Sequence, residues 1–257
     1  VMVDRRYLEA AGNVVIDGPQ SIAAMDALKA YAAAAQTAGS KVIMQISHSG
    51  RQTPKAICER PVAPSAVELD MPGRSVYPFG APRALTGDEV DEVVLRFVHA
   101  IQVAEKAGFD GVQVHAAHGY LISQFLSPRA NRRTDKWGGS LENRARLLLE
   151  IIREARQVVS SKFAIGVKLN SADFQSGGFS HEDCLAVIDW LNIEAVDFIE
   201  VSGGNYEQPQ MMGMDFADAP ESDGRLGAST IAREAYFVEY AKSVRDRSKC
   251  PVMATGG

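Results

Sequence analysis

Apolar and polar positions along this chain follow two alternating patterns. Residues 41–47 (KVIMQIS), 109–115 (FDGVQVH), 163–170 (FAIGVKLN), 196–202 (VDFIEVS) and 251–255 (PVMAT) form short, nearly continuous apolar runs. Such runs suit parallel strands covered on both faces. Between them, apolar residues recur at helical spacing. Thr86 and Glu89 match a capping box, followed by Val90, Val93, Val94, Phe97, Ile101 and Ala104 on one face. Gly108 then supplies a left-handed stop. Ser140 opens a second helix carrying Leu147, Leu148, Ile151, Ile152 and Ala155, and Ser180 opens a third with Leu185, Ile188 and Leu191. Two further helices are drawn at 21–38 and 230–244.

Strand–helix alternation predicts an α/β fold, either a (β/α)₈ TIM barrel or a doubly wound sheet. Polar residues decide between them. Gln45 and His48, His115 and His118, Lys168 and Asn170, Ser202 and Gly203, and Gly256 and Gly257 fall at or just after strand carboxyl ends. A barrel builds its site there, from every strand, whereas a doubly wound sheet concentrates its site at one switch point. The barrel is the expected fold. Residues 54–82, rich in proline, read as a long excursion after the first visible strand.

Composition narrows the function classes. With 46% apolar and 23% charged residues among 257, the chain has the make-up of a globular domain. A net charge of -5 gives no electrostatic reason to expect nucleic acid or an anionic membrane as partner. No apolar run approaches the ~20 residues of a membrane span. Cys58, Cys184 and Cys250 are scattered, which reads as free thiols in a reducing compartment, with the cytoplasm as the expected location.

The segment with the most chemistry is His115-Ala-Ala-His118-Gly-Tyr120-Leu-Ile-Ser-Gln-Phe-Leu-Ser-Pro128. Two imidazoles can donate hydrogen bonds to one carbonyl oxygen and stabilise negative charge growing there. A phenol beside them can deliver a proton to a neighbouring carbon. Spacing alone also fits a zinc pair or two satisfied core histidines. Zinc would need a third ligand and leaves the tyrosine without a role.

This segment, with Asn131-Arg-Arg-Thr-Asp-Lys-Trp-Gly-Gly-Ser-Leu-Glu-Asn-Arg144 behind it, resembles the Old Yellow Enzyme family of NADH:flavin oxidoreductases. Gln45-Ile-Ser-His48-Ser-Gly-Arg51, Gly166-Val-Lys168-Leu-Asn and Ala254-Thr-Gly-Gly257 agree with that family in order and placement. The resemblance implies non-covalent FMN, NAD(P)H as reductant and an activated alkene as substrate. His115 and His118 would bind the substrate's carbonyl or nitro oxygen, and Tyr120 would protonate the alkene α-carbon. Gln45 would hydrogen-bond the flavin pyrimidine edge. Lys168 stands where many relatives place arginine, near flavin N1 and O2; lysine keeps the charge and loses the planar fork. Gly256 and Gly257 would let backbone N–H groups approach the phosphate. Each has a plainer reading beside it: a strand-end polar residue for Gln45, a buried ion pair for Lys168 and a tight turn for the glycines. Tyr206 lines the substrate mouth or is a surface loop aromatic; the residues leave both open.

Matched to the family, Val1 follows the second strand and Gly257 ends just after the seventh. Strands 1, 2 and 8 are not found, so the expectation is a single FMN-binding barrel domain over 1–257, an internal piece of a longer parent. A homo-oligomer is compatible with this reading, and the choice between NADH and NADPH is open. The alternatives are a dienoyl-CoA-type reductase with an iron–sulfur cluster, or a non-catalytic barrel fragment that only binds an anion.

Overall fold

The structure, a computed structural model, describes residues 1–71, 78–207 and 228–255. In chain order its elements are α1 (Ile22–Ala35), β1 (Ile43–Ile46), β2 (Val62–Ala63), β3 (Arg83–Ala84), α2 (Gly87–Lys106), β4 (Gly111–Ala116), α3 (Leu121–Leu126), α4 (Leu141–Val158), β5 (Ala164–Asn170), α5 (His181–Ile193), β6 (Phe198–Ser202), α6 (Ala228–Arg247) and β7 (Val252–Ala254). The five strands expected from the apolar runs are β1, β4, β5, β6 and β7, each trimmed by one or two residues at one end or both, with β4 running one residue further at its carboxyl end. They form one parallel sheet in the order β1-β4-β5-β6-β7, the sequential order of a barrel wall. Among the described residues the wall is open. Met2 makes isolated parallel bridges to Ser47 and Val15, so the first residues run beside the end of β1.

Four features differ from the sequence reading. The pair β2–β3 and the short helix α3 were not expected. Within the third helix the buried residues are Cys184, Val187, Ile188 and Leu191, while Leu185 is half-buried. The strands also alternate more than continuous apolar runs suggest. Val112, Val114, Ile165, Val167, Ile199 and Val201 are buried in the main core. Gln45, Gln113, His115, Lys168, Asn170, Glu200 and Ser202 occupy the other parity, which faces the barrel interior.

The helices start where their caps place them. The Thr86 hydroxyl accepts from the Glu89 N–H at 3.2 Å and the Glu89 carboxylate accepts from the Thr86 N–H at 2.8 Å. That reciprocal cap satisfies donors an isolated helix end would leave orphaned. Ser180 and Asp183 repeat it at α5, and Ser140 caps α4. From α2, Phe97 and Ile101 are fully buried, and each contributes about 1.5–3 kcal/mol relative to exposure. Gly108, with φ of 89°, is the left-handed stop between α2 and β4.

Inside the sheet, Gly166 makes room for its cross-strand neighbour Phe198. A Cβ on Gly166 would lie 2.1 Å from the Phe198 ring. Gly166→Ala is therefore expected to destabilise the fold by about 1–3 kcal/mol through overpacking, read as a lower urea midpoint at unchanged m-value. An unchanged midpoint would show that the ring moves aside freely.

Candidate active site

Parallel strands put every carboxyl end on one rim, and the register aligns the chemistry there. Gln45 pairs with Gln113, while His115, Lys168 and Glu200 share the next inward layer. A continuous hydrogen-bonded chain crosses four strands. The Gln45 amide donates to Gln113 Oε1 at 2.6 Å, Gln113 Nε2 donates to Glu200 Oε2 at 2.6 Å, and Lys168 Nζ pairs with Glu200 Oε1 at 2.8 Å. Thr255 Oγ1 also donates to Glu200, at 2.5 Å. Burial alone would push the Glu200 carboxyl up; the Lys168, Thr255 and Gln113 donors outweigh it and hold the group below its ordinary range. The buried ion pair that was the plainer reading of Lys168 is present.

After β4 the chain turns sharply. His118 adopts φ of 60° and Gly119 follows at 75°. Two consecutive left-handed residues, one of them not glycine, concentrate strain at this turn. A Cβ on Gly119 would lie 2.4 Å from Gln52 Oε1. Asn170 holds the turn: its Oδ1 accepts from the His118 N–H at 3.1 Å, while its Nδ2 donates to Asp173 and to the Gly204 carbonyl. Tyr120 then begins the fully buried α3.

The turn brings His115, His118 and Tyr120 together. The His115 ring lies 5.1 Å from that of His118 and 4.9 Å from that of Tyr120, both edge-on. His115 Nδ1 accepts from the Ala117 N–H at 3.3 Å, so the neutral ring carries its hydrogen on Nε2. His118 Nε2 lies 2.6 Å from Ser202 Oγ. Both imidazoles are held neutral, chiefly by burial and then by neighbouring positive charge: His115 well below its ordinary range and His118 down to about 4. The Tyr120 hydroxyl donates to Glu9 at 2.6 Å and lies 3.0 Å from the Tyr206 hydroxyl. Burial, then Tyr206 and Glu9, push the phenol well above its ordinary range.

Neutral buried histidines make stability depend on pH. His48, fully enclosed, is likewise held at about 4, chiefly by burial. Between about 4 and the unfolded value near 6.5 the unfolded chain binds more protons. Stability is complete above about pH 6.5 and falls as pH drops toward 4. Urea midpoints at pH 7.5 and pH 5 check this, and a higher midpoint at pH 5 would contradict it.

The arrangement suits a flat ring bearing hydrogen-bonding edges. Gln45 is exposed at the rim, and among the described residues its amide oxygen has no partner. Met253, Ala254 and Thr255 at the end of β7 are exposed. A free amide oxygen beside an amide donor and an ammonium fits a flavin pyrimidine edge, which alternates acceptors and a donor. Gly256 and Gly257 lie outside the described residues.

Sequence reasoning brought together Gln45, Lys168, His115, His118 and Tyr120 but missed Gln113, Glu200 and Glu9. Gln113 and Glu200 interrupt apolar strands, but which residues they meet is set by strand pairing and is not readable from the sequence. Glu9 carried no signal, because it reaches Tyr120 from 111 residues away. The loops above the rim are tied by a buried ion pair, Arg51 with Glu207 at 2.9 Å.

The family model described as NADH:flavin oxidoreductase / NADH oxidase matches residues 21–257. An NADH-dependent flavin oxidoreductase of Aspergillus parasiticus is 38% identical over 261 residues, covering 100% of this chain and 56% of that protein. The chain thus spans about half the length of that curated relative. A 2-naphthoyl-CoA reductase complex superposes with a TM-score of 0.80 at 28% identity, covering 98% of this chain and 37% of the other. The old yellow enzyme homologue from Zymomonas mobilis superposes at 0.76 and 25% identity, covering 100% and 67%. No helix among the described residues is long and apolar enough to cross a membrane.

Proposed function

The chain belongs to the Old Yellow Enzyme family of NADH:flavin oxidoreductases, TIM-barrel proteins that use FMN with NAD(P)H as reductant, and we propose from that premise that it reduces the C=C bond of activated alkenes. The carrying observation is the set of two neutral imidazoles and a phenol packed edge-on at one strand mouth, beside the Gln45–Lys168 rim.

Gln45 and Lys168 are the residues that would hold the flavin's pyrimidine edge. When bound, FMN supplies the hydride that reaches the alkene β-carbon and is itself recharged by NAD(P)H. The protein's residues supply the rest. His115 donates its Nε2 hydrogen to the activating carbonyl or nitro oxygen, with His118 as the second donor. Neutral rings suit this task, because they stabilise the growing charge without surrendering a proton to the oxygen. Tyr120 delivers the proton to the α-carbon, and Ser202 and Asn170 hold His118 in place. Burial of His115 and Tyr120 excludes competing water.

The test is the absorption spectrum of the purified full-length protein, mass spectrometry of the released flavin, and reoxidation of the reduced protein by enones, enals and nitroalkenes. The expected result is stoichiometric FMN and reoxidation by at least one alkene class. Stoichiometric FAD, or a colourless protein as for an anion-binding barrel, overturns the reading. A CoA-thioester substrate is the second reading, favoured by the likeness to 2-naphthoyl-CoA reductase. An enoyl-CoA in the panel, with an iron assay, decides between them.

A further inference from the structure

Lys168 does not present a free ammonium to the rim. Its Nζ pairs at 2.8 Å with Glu200, and both side chains are largely buried, at 10% and 14% exposure. The Glu200 carboxylate is held from three sides, by Lys168, Gln113 Nε2 and Thr255 Oγ1. Through Gln113 it also connects to Gln45, so both proposed flavin-edge residues are hydrogen-bonded into one network centred on Glu200. We propose that Glu200 is the residue that sets the reduction potential of the bound flavin, by neutralising Lys168 and placing a compensated negative charge in the network of Gln45 and Lys168 that would hold the pyrimidine edge. This rests on the FMN reading above.

The chemistry follows from charge. Two-electron reduction with uptake of one proton leaves one net negative charge on the flavin's pyrimidine ring. A lone Lys168 cation would stabilise that charge and raise the potential. A carboxylate paired with it cancels most of that field, because a buried pair with matched charges acts at a distance as a dipole. Glu200 therefore keeps the reduced flavin less stable and a stronger hydride donor. The same pairing orients the ammonium, which on a flexible lysine stem would otherwise sample several positions.

The experiment is the midpoint potential of the FMN-loaded protein, measured by slow reduction against a reference dye. Glu200→Gln is expected to raise the midpoint by about 30 mV or more, a tenfold shift in favour of the reduced flavin for a two-electron couple. Lys168→Met is expected to lower it, and Glu200→Asp, which retains the charge, to stay close to the parent. If Glu200→Gln does not fold, Thr255→Val serves. It removes one donor from the carboxylate without removing its charge, and is expected to lower the midpoint. A yellow Glu200→Gln protein with an unchanged or lower midpoint overturns the proposal, as does an unchanged or higher one in Thr255→Val. A parent protein that binds no flavin instead defeats the FMN reading, so the two failures are told apart.

Discussion

Tyr120→Phe is expected to slow enone reduction by about 10²–10⁴ while leaving nitroalkene consumption nearly untouched. An enone's α-carbon must receive a proton before product forms, and the buried Tyr120 hydroxyl is the acid placed to give it. A nitroalkene yields a nitronate stable enough to leave and collect a proton from water. The variant removes one oxygen and keeps the ring, so the edge-on packing against His115 survives. The phenol's partners sharpen the prediction. Its hydrogen rests on Glu9, and the phenolate left after donation would sit beside that carboxylate in a buried site. Donation from Tyr120 is thus costly and worth its full effect only where protonation limits the rate. Stopped-flow oxidation of reduced flavin by both substrate types measures this. Equal slowing of both would remove Tyr120 from the proton-donor role.

His115→Ala is expected to slow reoxidation by enone and nitroalkene alike, by about 10²–10³, or about 2.7–4 kcal/mol of lost stabilisation. His118→Ala should act in the same direction. It carries a second effect, because His118 Nε2 is engaged with Ser202 and its backbone is anchored by Asn170. Flavin reduction by NAD(P)H should change less than alkene reduction in either variant. The two together should fall short of the sum, since adjacent groups serving one oxygen act as a unit. Either single variant leaving both substrates at parent rates would exclude that histidine from oxygen binding.

The positions of these residues were legible to different degrees. The segment from His115 to Tyr120 announced itself because three chemistry-bearing residues fall within six positions at a strand end, and one short turn is enough to gather them. The apolar pattern placed Lys168 and Gln45 at strand carboxyl ends, a fixed place in a barrel, while a role at the flavin edge was implied only by the resemblance to the family. Glu200 was hidden. Its strand, FIEVS, reads as apolar, and only pairing with β5 shows that its carboxylate shares a layer with Lys168. Glu9 was hidden more deeply, in a loop without periodicity whose approach to Tyr120 is purely tertiary.

By itself the amino-acid sequence determined the elements and their caps: five parallel-type strands, five amphipathic or capped helices, and the motif that marks the family. These are local properties, set by apolar period, by Ser and Thr at helix starts and by glycine at stops. It also determined that the polar residues gather at strand carboxyl ends. The tertiary structure decided what those residues touch. It paired Lys168 with Glu200, seated the Tyr120 hydroxyl on Glu9, and enclosed His115 fully and His118 partly, holding both imidazoles neutral. The reason is physical: a hydrogen-bond partner and a local dielectric depend on atoms brought together from distant parts of the chain, and no local pattern encodes that meeting.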